Sequence, residues 1–376
     1  MRIFHIISGL GPGGAEHMLW RLVAATPDVS HAVFSLNGAG VLSDRLRTAG
    51  ASLINEEPAR GRVRDLIGLR RQIASFAPDI VQGWMNHGNL AALLTRSAAP
   101  HAALLWNVRQ SLTKRRFTKP ATRAVIKALA FRSRVPDAII YNAESAAKDH
   151  EAIGFARCKR VILPNGFDTA IFRPDATRRR VIRAELGFSD DQLAIGLIAR
   201  FDPWKNHEGF FEMAARVAER HSKVAFVLAG KGVEWSNPAL TALIGDGLRN
   251  RVSLLGDRRD VWAINAGLDI ACNVSHGEGF PNAVGEAMAC GLPCVVTPVG
   301  ASAEMVGKCG IVARSSEGDH LFAAMSAMLA ETAQARAAMG AAARQRVAEQ
   351  FSIKVVAERY VTLYAQMANR FETSFE

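Results

Sequence analysis

The alternation of short apolar segments with helical segments is the feature that most limits what this chain can fold into. In the first half, the apolar runs suited to buried strands are residues 2–8, 31–36, 51–54, 79–84, 102–108 and 137–142. Stretches with helical spacing separate them, among them residues 15–25, 64–76 and 121–132. Strands that alternate with helices form a parallel sheet covered on both faces. The first half therefore predicts a doubly wound α/β domain.

The alternation stops once and then restarts. Segment 163–175, LPNGFDTAIFRPD, has an Asn-Gly pair, two prolines and no periodicity, which indicates a hinge. Further strand-like runs then follow at residues 192–200, 223–230, 251–256, 268–274 and 293–298, and residues 318–370 are mostly helical in pattern. We predict two Rossmann-like domains, 1–170 and 171–355, facing across a cleft, and a final helix at 356–376. In such sheets, ligands bind beyond the carboxyl ends of the strands.

The positive charge of the chain is confined to its first half. The 376 residues have a net charge of +11, and all of the excess lies in residues 1–172. It is concentrated in TKRRFTK (113–119) and continues through Lys127, Arg132 and Arg134. An anionic membrane surface or a phosphorylated acceptor would fit this charge, and a solvated basic surface without a partner is the alternative. No nucleic-acid-binding module is recognisable, so we expect no nucleic acid partner.

The remaining composition indicates a protein of the cytoplasm. No apolar run approaches the ~18 residues that span a bilayer, and the N-terminal segment is predicted to be the first strand rather than a signal peptide. The cysteines form no C-x-x-C pair and are predicted to be reduced core residues. They are Cys158, Cys272, Cys290, Cys294 and Cys309.

A glycine-rich turn follows the first strand. Residues 9–14, GLGPGG, match the pattern G-x-G-x-x-G and open a helix, an arrangement that brings backbone N–H groups close to a phosphate. A dinucleotide site also needs an acidic residue at the end of the second strand, where this chain has Asn37 and Gly38. The dinucleotide interpretation therefore lacks its second element, and a purely structural turn is the other alternative.

The segment SHGEGFPNAVGEAMACG (275–291) places two carboxylates around a predicted helix start. Pro281 suits the first helical position, and the N–H groups that follow favour a diphosphate there. Glu278 precedes the helix and Glu286 lies within it. The two are too far apart for a catalytic pair, but they can contact hydroxyls at two ends of one extended ligand. A capping acid and a surface acid are the alternative.

A third segment, ARFDPWKN (199–206), supplies two cations at the end of a strand. Arg200 and Lys205 can neutralise a leaving diphosphate without a metal ion. Taken alone, the pair is equally typical of an ordinary protein surface.

Together, these segments resemble glycosyltransferase family 4, whose members have the two-domain GT-B fold. The resemblance rests on GPGGAE, ARFDPWKN, LPNGFDTAIFRPD and GEGFPNAVGEAMACGLPCVVTPVG, and it extends from Arg2 to EQFSIKVVAERYVTLY (349–364). It is closest to bacterial enzymes that build surface polysaccharides. It implies that the final helix crosses back to the first domain, that the first domain binds the acceptor, and that the second binds the nucleotide sugar.

The resemblance also implies a role for each matching residue. Glu286 would hold the ribose hydroxyls of the donor, Glu278 the transferred sugar, and Arg200 and Lys205 the diphosphate, while Arg258 would face the base. Backbone groups would also contact the donor, at Gly13, Gly14, Gly279, Phe280, Pro281 and Asn282.

The acceptor side departs from the family pattern. Many members have a histidine after the fifth strand, where this chain has Arg109 in WNVRQS. Arginine cannot act as a base at neutral pH, but it can bind a hydroxyl, a carboxylate or a phosphate. Trp84 and His87, which follow the fourth strand, are further acceptor-binding candidates.

The resulting prediction is a retaining, metal-independent glycosyltransferase without a cofactor. Its donor would be a UDP- or GDP-linked sugar, and its acceptor a saccharide, lipid-linked at the cytoplasmic face of the membrane. Two other classes stay open, a non-hydrolysing nucleotide-sugar epimerase of GT-B type and a binding protein without catalysis.

Overall fold

The computed structural model describes residues 1–55, 57–58, 63–112 and 120–372. The basic segment 113–119, which the sequence singles out, lies outside these ranges. The chain divides into two compact units, the first formed by Met1–Gly166 with Ile353–Glu376 and the second by Phe167–Ser352. Within the described ranges, no helix is both long enough and apolar enough to span a bilayer.

Unit 1 is a seven-stranded parallel sheet with helices. Its strands are β1 (Arg2–Ile7), β2 (Ser30–Ser35), β3 (Ser52–Leu53), β4 (Ile80–Trp84), β5 (Ala103–Val108), β6 (Ala138–Tyr141) and β7 (Arg160–Ile162). Its helices are α1 (Gly14–Ala25), α2 (Ser43–Thr48), α3 (Val63–Phe76), α4 (Met85–Thr95), α5 (Pro120–Arg132) and α6 (Glu144–Glu151). The strand order is β3-β2-β1-β4-β5-β6-β7. The apolar runs of the sequence become strands because both faces of this sheet are covered.

Unit 2 repeats this architecture with six parallel strands. The strands are β8 (Leu193–Ile198), β9 (Val224–Ala229), β10 (Val252–Leu254), β11 (Ile270–Asn273), β12 (Cys294–Val296) and β13 (Gly310–Val312), in the order β10-β9-β8-β11-β12-β13. The helices are α7 (Ala176–Glu185), α8 (His207–Arg220), α9 (Pro238–Thr241), α10 (Val261–Gly267), α11 (Asn282–Ala289), α12 (Ser302–Val306), α13 (Gly318–Ala330) and α14 (Ala333–Gln350). In each sheet, the strand order reverses once, between β1 and β4 and between β8 and β11.

The last helix, α15 (Ile353–Glu372), belongs to unit 1 rather than to the unit that precedes it in the chain. Its Tyr360 and Tyr364 are fully buried in the core of unit 1. The Tyr364 hydroxyl donates a hydrogen bond to the side-chain oxygen of Gln82 on β4. The helix therefore supplies core side chains to the sheet of unit 1.

The cysteines are all free thiols. Cys272, Cys290 and Cys294 are buried, as predicted for core residues, but Cys158 is exposed, so the prediction was wrong for that residue. It lies in a short turn before the edge strand β7, where little of the core is within reach. Burial, followed by the charge of Glu286, raises the pKa of Cys290 to about 12, which keeps this thiol protonated.

Candidate active site

The turn after β8 places two cations at the carboxyl end of the unit 2 sheet. Pro203–Lys205 form a short 3₁₀ turn, which Asp202 caps by accepting a hydrogen bond from the Trp204 N–H at 2.9 Å. The other oxygen of Asp202 accepts hydrogen bonds from the Arg200 guanidinium at 3.0 and 3.2 Å. The Arg200 side chain is 57% exposed, so it is held on one side while most of its surface stays accessible.

Asn206 fastens this turn to the neighbouring strand. Its backbone is left-handed, with φ of 54°, and its side chain caps α8 by accepting from the Gly209 N–H at 3.1 Å. The side-chain amide donates to the carbonyls of Val274 at 3.1 Å and Ser316 at 2.8 Å. Asn206 is buried, and these bonds hold Lys205 beside the loop that follows β11.

Lys205 and Glu278 form the central contact of the site. The Nζ atom of Lys205 lies 2.5 Å from Oε1 of Glu278, although the residues are 73 positions apart in the chain. The same oxygen accepts from the Ser275 hydroxyl at 2.7 Å and from the Asn273 amide at 3.3 Å. The Lys205 and Glu278 side chains are 18% and 10% exposed, respectively. The structure thus brings together two of the residues that the sequence predicted.

The environment of Glu278 favours its ionised form. Burial alone would raise its pKa, but the positive charge of Lys205 and three hydrogen bonds lower it below the ordinary value of 4.5. At neutral pH Glu278 is therefore a carboxylate, able to accept hydrogen bonds but not to donate a proton.

The start of α11 differs by one residue from the prediction. Pro281 is the residue that caps the helix and Asn282 is its first member, so the prediction that Pro281 opens the helix was wrong by one position. The Val284 N–H donates to the Pro281 carbonyl at 3.1 Å, which is where the helical hydrogen bonds begin. The first N–H groups of a helix have no partner within it and can bind an anion.

Aromatic side chains within unit 2 fix the position of this helix start. Phe280 stacks on Phe167, with ring centroids 6.1 Å apart, and meets Phe351 edge-on at 6.0 Å. A side chain at Gly285 would place its Cβ about 2.1 Å from the Phe167 ring, so only glycine allows α11 to lie this close. Gly279 and Phe280 are thereby held next to Glu278.

Gly300 packs closely against the loop that contains Glu278 and Gly279. Its φ is +57°, and a Cβ there would lie 2.4 Å from the Glu278 carbonyl oxygen. The Ala301 N–H donates to the Gly279 carbonyl at 3.0 Å. Sequence reasoning missed Gly300, although a glycine two residues after a proline is a signal for such a turn.

Two other residues predicted to contact the donor have distinct surroundings. Glu286 lies about one turn into α11 and is partly buried. The Arg258 guanidinium is bound by Asp260 at 2.6 and 2.7 Å and by Glu185 at 2.6 Å. These carboxylates raise the pKa of Arg258 further. A contact between Arg258 and a base stays a prediction.

The glycine-rich turn of unit 1 has an acid of its own. Gly13 caps α1, and a Cβ at Gly13 would lie 2.3 Å from Oε2 of Glu16. Burial raises the pKa of this carboxyl group. A carboxylate in the first turn is favoured at a helix start, and Glu16 supplies one here. A phosphate at Gly13 or Gly14 would therefore have to displace the Glu16 side chain.

The acceptor-side candidates lie at different depths in unit 1. Trp84 is fully buried, and its indole N–H donates to Nδ1 of His5 at 3.1 Å. The prediction that Trp84 contacts the acceptor was therefore wrong, because a side chain without accessible surface cannot touch a ligand. His87 is exposed on α4.

Arg109 is buried at the end of β5, with 8% of its surface exposed. It donates hydrogen bonds to the Leu163 carbonyl at 3.1 Å and to the Tyr360 hydroxyl. Its guanidinium lies 5.6 Å from the centre of the Trp84 ring. Trp84 is thus a core residue that packs against the Arg109 guanidinium.

Across the described part of the chain, no three His, Cys, Asp or Glu side chains are grouped as metal ligands would be. The expectation of a metal-independent reaction is untested by this observation and stays a prediction.

Both halves of the chain match known protein families. Residues 12–171 match the family described as Glycosyltransferase Family 4, and residues 192–331 match Glycosyl transferases group 1. The chain therefore has a family 4 glycosyltransferase domain followed by a group 1 glycosyltransferase domain. The resemblance drawn from the sequence motifs is thereby confirmed.

Similar proteins include bacterial glycosyltransferases, one of them an enzyme of lipopolysaccharide core synthesis. EpsF of Bacillus subtilis is 33% identical over 136 residues, which are 36% of this chain and 35% of EpsF. The lipopolysaccharide core biosynthesis mannosyltransferase LpcC of Rhizobium leguminosarum is 24% identical over 329 residues, 86% of this chain and 88% of LpcC. The chain spans only about a third of the length of the first relatives it matches, EpsF among them.

Solved structures confirm the GT-B fold of the chain. HepE from Anabaena, solved in complex with UDP-glucose, has a TM-score of 0.83 at 19% identity, covering 97% of this chain and 100% of HepE. Sucrose-phosphate synthase from Thermosynechococcus elongatus has a TM-score of 0.76 at 18% identity, covering 98% of this chain and 99% of that one.

Proposed function

We propose that the chain is a retaining glycosyltransferase, which moves a sugar from a nucleoside-diphosphate donor to a hydroxyl of a saccharide acceptor. The observation on which this rests is the Lys205–Glu278 pair beside the start of α11. The pair lies between β8 and β11, where the strand order of unit 2 reverses. Doubly wound sheets bind their ligands at such a reversal.

In this proposal, the residues around the pair divide the donor among them. Lys205, Arg200 and the N–H groups at the start of α11 bind the diphosphate. Glu278, being ionised, accepts hydrogen bonds from hydroxyls of the transferred sugar, and Glu286 accepts them from the ribose.

The proposed chemical step breaks the bond between the anomeric carbon and the diphosphate oxygen. A bond from the acceptor oxygen to the same face of that carbon replaces it, and the acceptor proton passes to the leaving diphosphate. Negative charge grows on the diphosphate as the first bond breaks. Fixed cations and helix N–H groups stabilise that charge more strongly in the transition state than in the ground state.

We further propose a UDP- or GDP-linked donor and a lipid-linked acceptor, with the protein at the cytoplasmic face of the membrane. The support comes from a relative. A galactosyltransferase of Escherichia coli, 29% identical over 140 residues, is named for UDP-Gal and for an acceptor linked to diphosphoundecaprenol. Arg109, a buried cation, would bind the acceptor in unit 1.

The test is a turnover assay on the Lys205→Met variant. Removing one charge-stabilising group at a developing oxyanion lowers turnover by about 10²-fold or more. Release of UDP or GDP from the sugar donor is measured with a saccharide acceptor extract. Lys308→Met, which changes an exposed lysine of unit 2, is the matched control. Equal turnover in both variants would refute the assignment, and conversion of the donor without any acceptor would point to an epimerase.

A further inference from the structure

Helix α5 has an outward side that neither the core nor the proposed reaction uses. Its inward side packs through Ile126, Leu129 and Ala130, which are buried. At its end, Phe131 is 86% exposed, the highest value among the exposed large hydrophobic residues of the described chain. A single exposed apolar residue needs no explanation by itself, so the residues around Phe131 determine whether this surface has a function.

Those surroundings are basic. Arg123 and Lys127 precede Phe131 at intervals of four residues, so the three side chains share one face of the helix. Arg132 and Arg134, directly after Phe131, are also exposed. Within the described ranges, none of these four cations forms an ion pair with a carboxylate.

The sequence around α5 has no acidic residue to offset this charge. Between Asp79 and Asp137 there is no Asp or Glu, although the whole chain has 35 of them. The same segment contains Arg96, Arg109, Lys114, Arg115, Arg116, Lys119, Arg123, Lys127, Arg132 and Arg134. The stretch of chain that contains α5 therefore carries positive charge without acidic residues of its own, which favours a negatively charged partner.

A second apolar residue lies at the same end of the neighbouring helix. Leu94, on α4, is 53% exposed. The Arg96 guanidinium, just beyond α4, donates to the Val135 carbonyl, just beyond α5, at 3.1 Å. The ends of the two helices are thus adjacent, and Leu94 and Phe131 both emerge there among cations.

We propose that this face, formed by Leu94, Arg123, Lys127, Phe131 and Arg134, docks on an anionic lipid bilayer. The cations contact lipid phosphates, and the two apolar side chains enter the boundary between headgroups and acyl chains. A nucleic acid is the less suitable partner, because an aliphatic side chain such as Leu94 gains nothing from base stacking. The proposal rests on the membrane location proposed above and gives it a surface, but it is separable from the donor site, since none of these residues belongs to that site.

The experiment is flotation of the full chain with vesicles of two compositions, phosphatidylcholine alone and phosphatidylcholine with one third phosphatidylglycerol. We expect binding to the second only. Phe131→Ser should lower the partition coefficient by about tenfold, and Lys127→Glu should lower it by about fivefold or more. Added salt should reduce the loss of vesicle binding caused by Lys127→Glu, because salt screens the interaction between charges. The loss caused by Phe131→Ser should not change with salt.

The matched control is the pair Arg180→Glu and Val181→Ser on α7, where Val181 is 62% exposed and Arg180 is exposed. These changes should leave vesicle binding at the wild-type level. All variants should keep the wild-type melting temperature and affinity for nucleoside diphosphates, which separates this proposal from the proposed function. Equal binding to both vesicles, equal loss in the α7 control, or binding of a nucleic acid oligomer in place of vesicles would overturn it.

Discussion

One oxygen of Glu278 accepts hydrogen bonds from three donors, so this carboxylate is central to the proposed donor site. In the structure this carboxylate neutralises Lys205 at 2.5 Å, while Ser275 and Asn273 hold it in place. A bound diphosphate would compete with Glu278 for Lys205, because the two anions repel each other. In the proposed donor site, Glu278 would therefore oppose binding of the bare nucleotide and support recognition of the sugar.

The Glu278→Gln variant separates these two effects. The amide keeps the shape of the side chain but removes the negative charge, so we expect UDP or GDP to bind at least as tightly as to the wild type. Turnover should fall by about 10²-fold, because the sugar hydroxyls lose a charged acceptor. Titration calorimetry and the turnover assay are run on the same preparations.

Glu331→Gln, which changes an exposed acid of unit 2, is the control and should behave as wild type. If Glu278→Gln lost nucleotide binding together with turnover, the carboxylate would have a structural role, and its proposed contact with the sugar would fail.

The individual site residues show how far the sequence could predict chemistry. It predicted Lys205 and Glu278 as ligand contacts, because each follows a strand at its carboxyl end, and contact with a ligand stays a prediction. It could not pair them, since residues 73 positions apart meet only through the sheet order. Trp84 was misjudged because its position after a strand is the same for a surface and a core residue.

At the scale of elements, the position of α11 depends on one close contact. Gly285 lies against the Phe167 ring, which also stacks with Phe280 at the helix start. Gly285→Ala would force the ring or the helix to move. We expect it to lower the free energy of unfolding of unit 2 by about 1–3 kcal/mol and to weaken nucleotide binding.

Gly247→Ala is the matched control, because a Cβ at that position has no heavy atom within 4 Å. Thermal melting and nucleotide titration are measured for both. A Gly285→Ala protein with unchanged affinity for nucleoside diphosphates would show that the position of α11 does not matter for the donor.

A buried chain of hydrogen bonds joins β4, β1, β2 and α1 in unit 1. The Trp84 N–H can only donate, so Nδ1 of His5 accepts, and His5 donates from Nε2 to Nδ1 of His31 at 3.0 Å. His31 then donates to the Thr26 hydroxyl at 2.9 Å, which donates to the Leu22 carbonyl at 2.7 Å. The donor in each hydrogen bond fixes the donor in the next one along the chain. Because each histidine accepts at Nδ1, both histidines must be neutral.

Acid should therefore destabilise unit 1. Burial and the charge of His31 lower the pKa of His5 well below 6.5, and burial lowers the pKa of His31 to about 4. Between pH 6.5 and about 4, the unfolded chain binds more protons than the folded one, so the free energy of unfolding falls as the pH falls. Above pH 6.5, the two neutral histidines make their full contribution to the free energy of unfolding.

The measurement is the urea midpoint at about pH 7.5 and about pH 5. The pKa values of His150 and His207 are also lowered, and these residues act in the same direction, so the wild type is compared with His31→Gln. The variant should show a shallower decrease with acid. An identical decrease in both proteins would mean that the His5–His31 pair does not determine the acid sensitivity.

At the scale of the whole molecule, the sequence predicted both parallel sheets but not all of their strands. Strands covered on both faces leave continuous apolar runs, and these were found. The strands β7 and β13, which have three residues each and lie at the edges of their sheets, were missed. The boundary of unit 2 fell at Phe167, inside the predicted hinge, because Phe167 packs with α11.

The central claim is that unit 2 binds a nucleoside diphosphate through Lys205 and the start of α11. The most direct test is a thermal-shift panel with UDP, GDP, ADP, CMP and NAD, on the wild type and on Lys205→Met. A ligand at about 100 times its dissociation constant adds about 2.7 kcal/mol to the free energy of unfolding, which moves the midpoint by several degrees. We predict stabilisation by UDP or GDP that Lys205→Met abolishes. Stabilisation by NAD alone, or equal stabilisation of both proteins, would contradict the account.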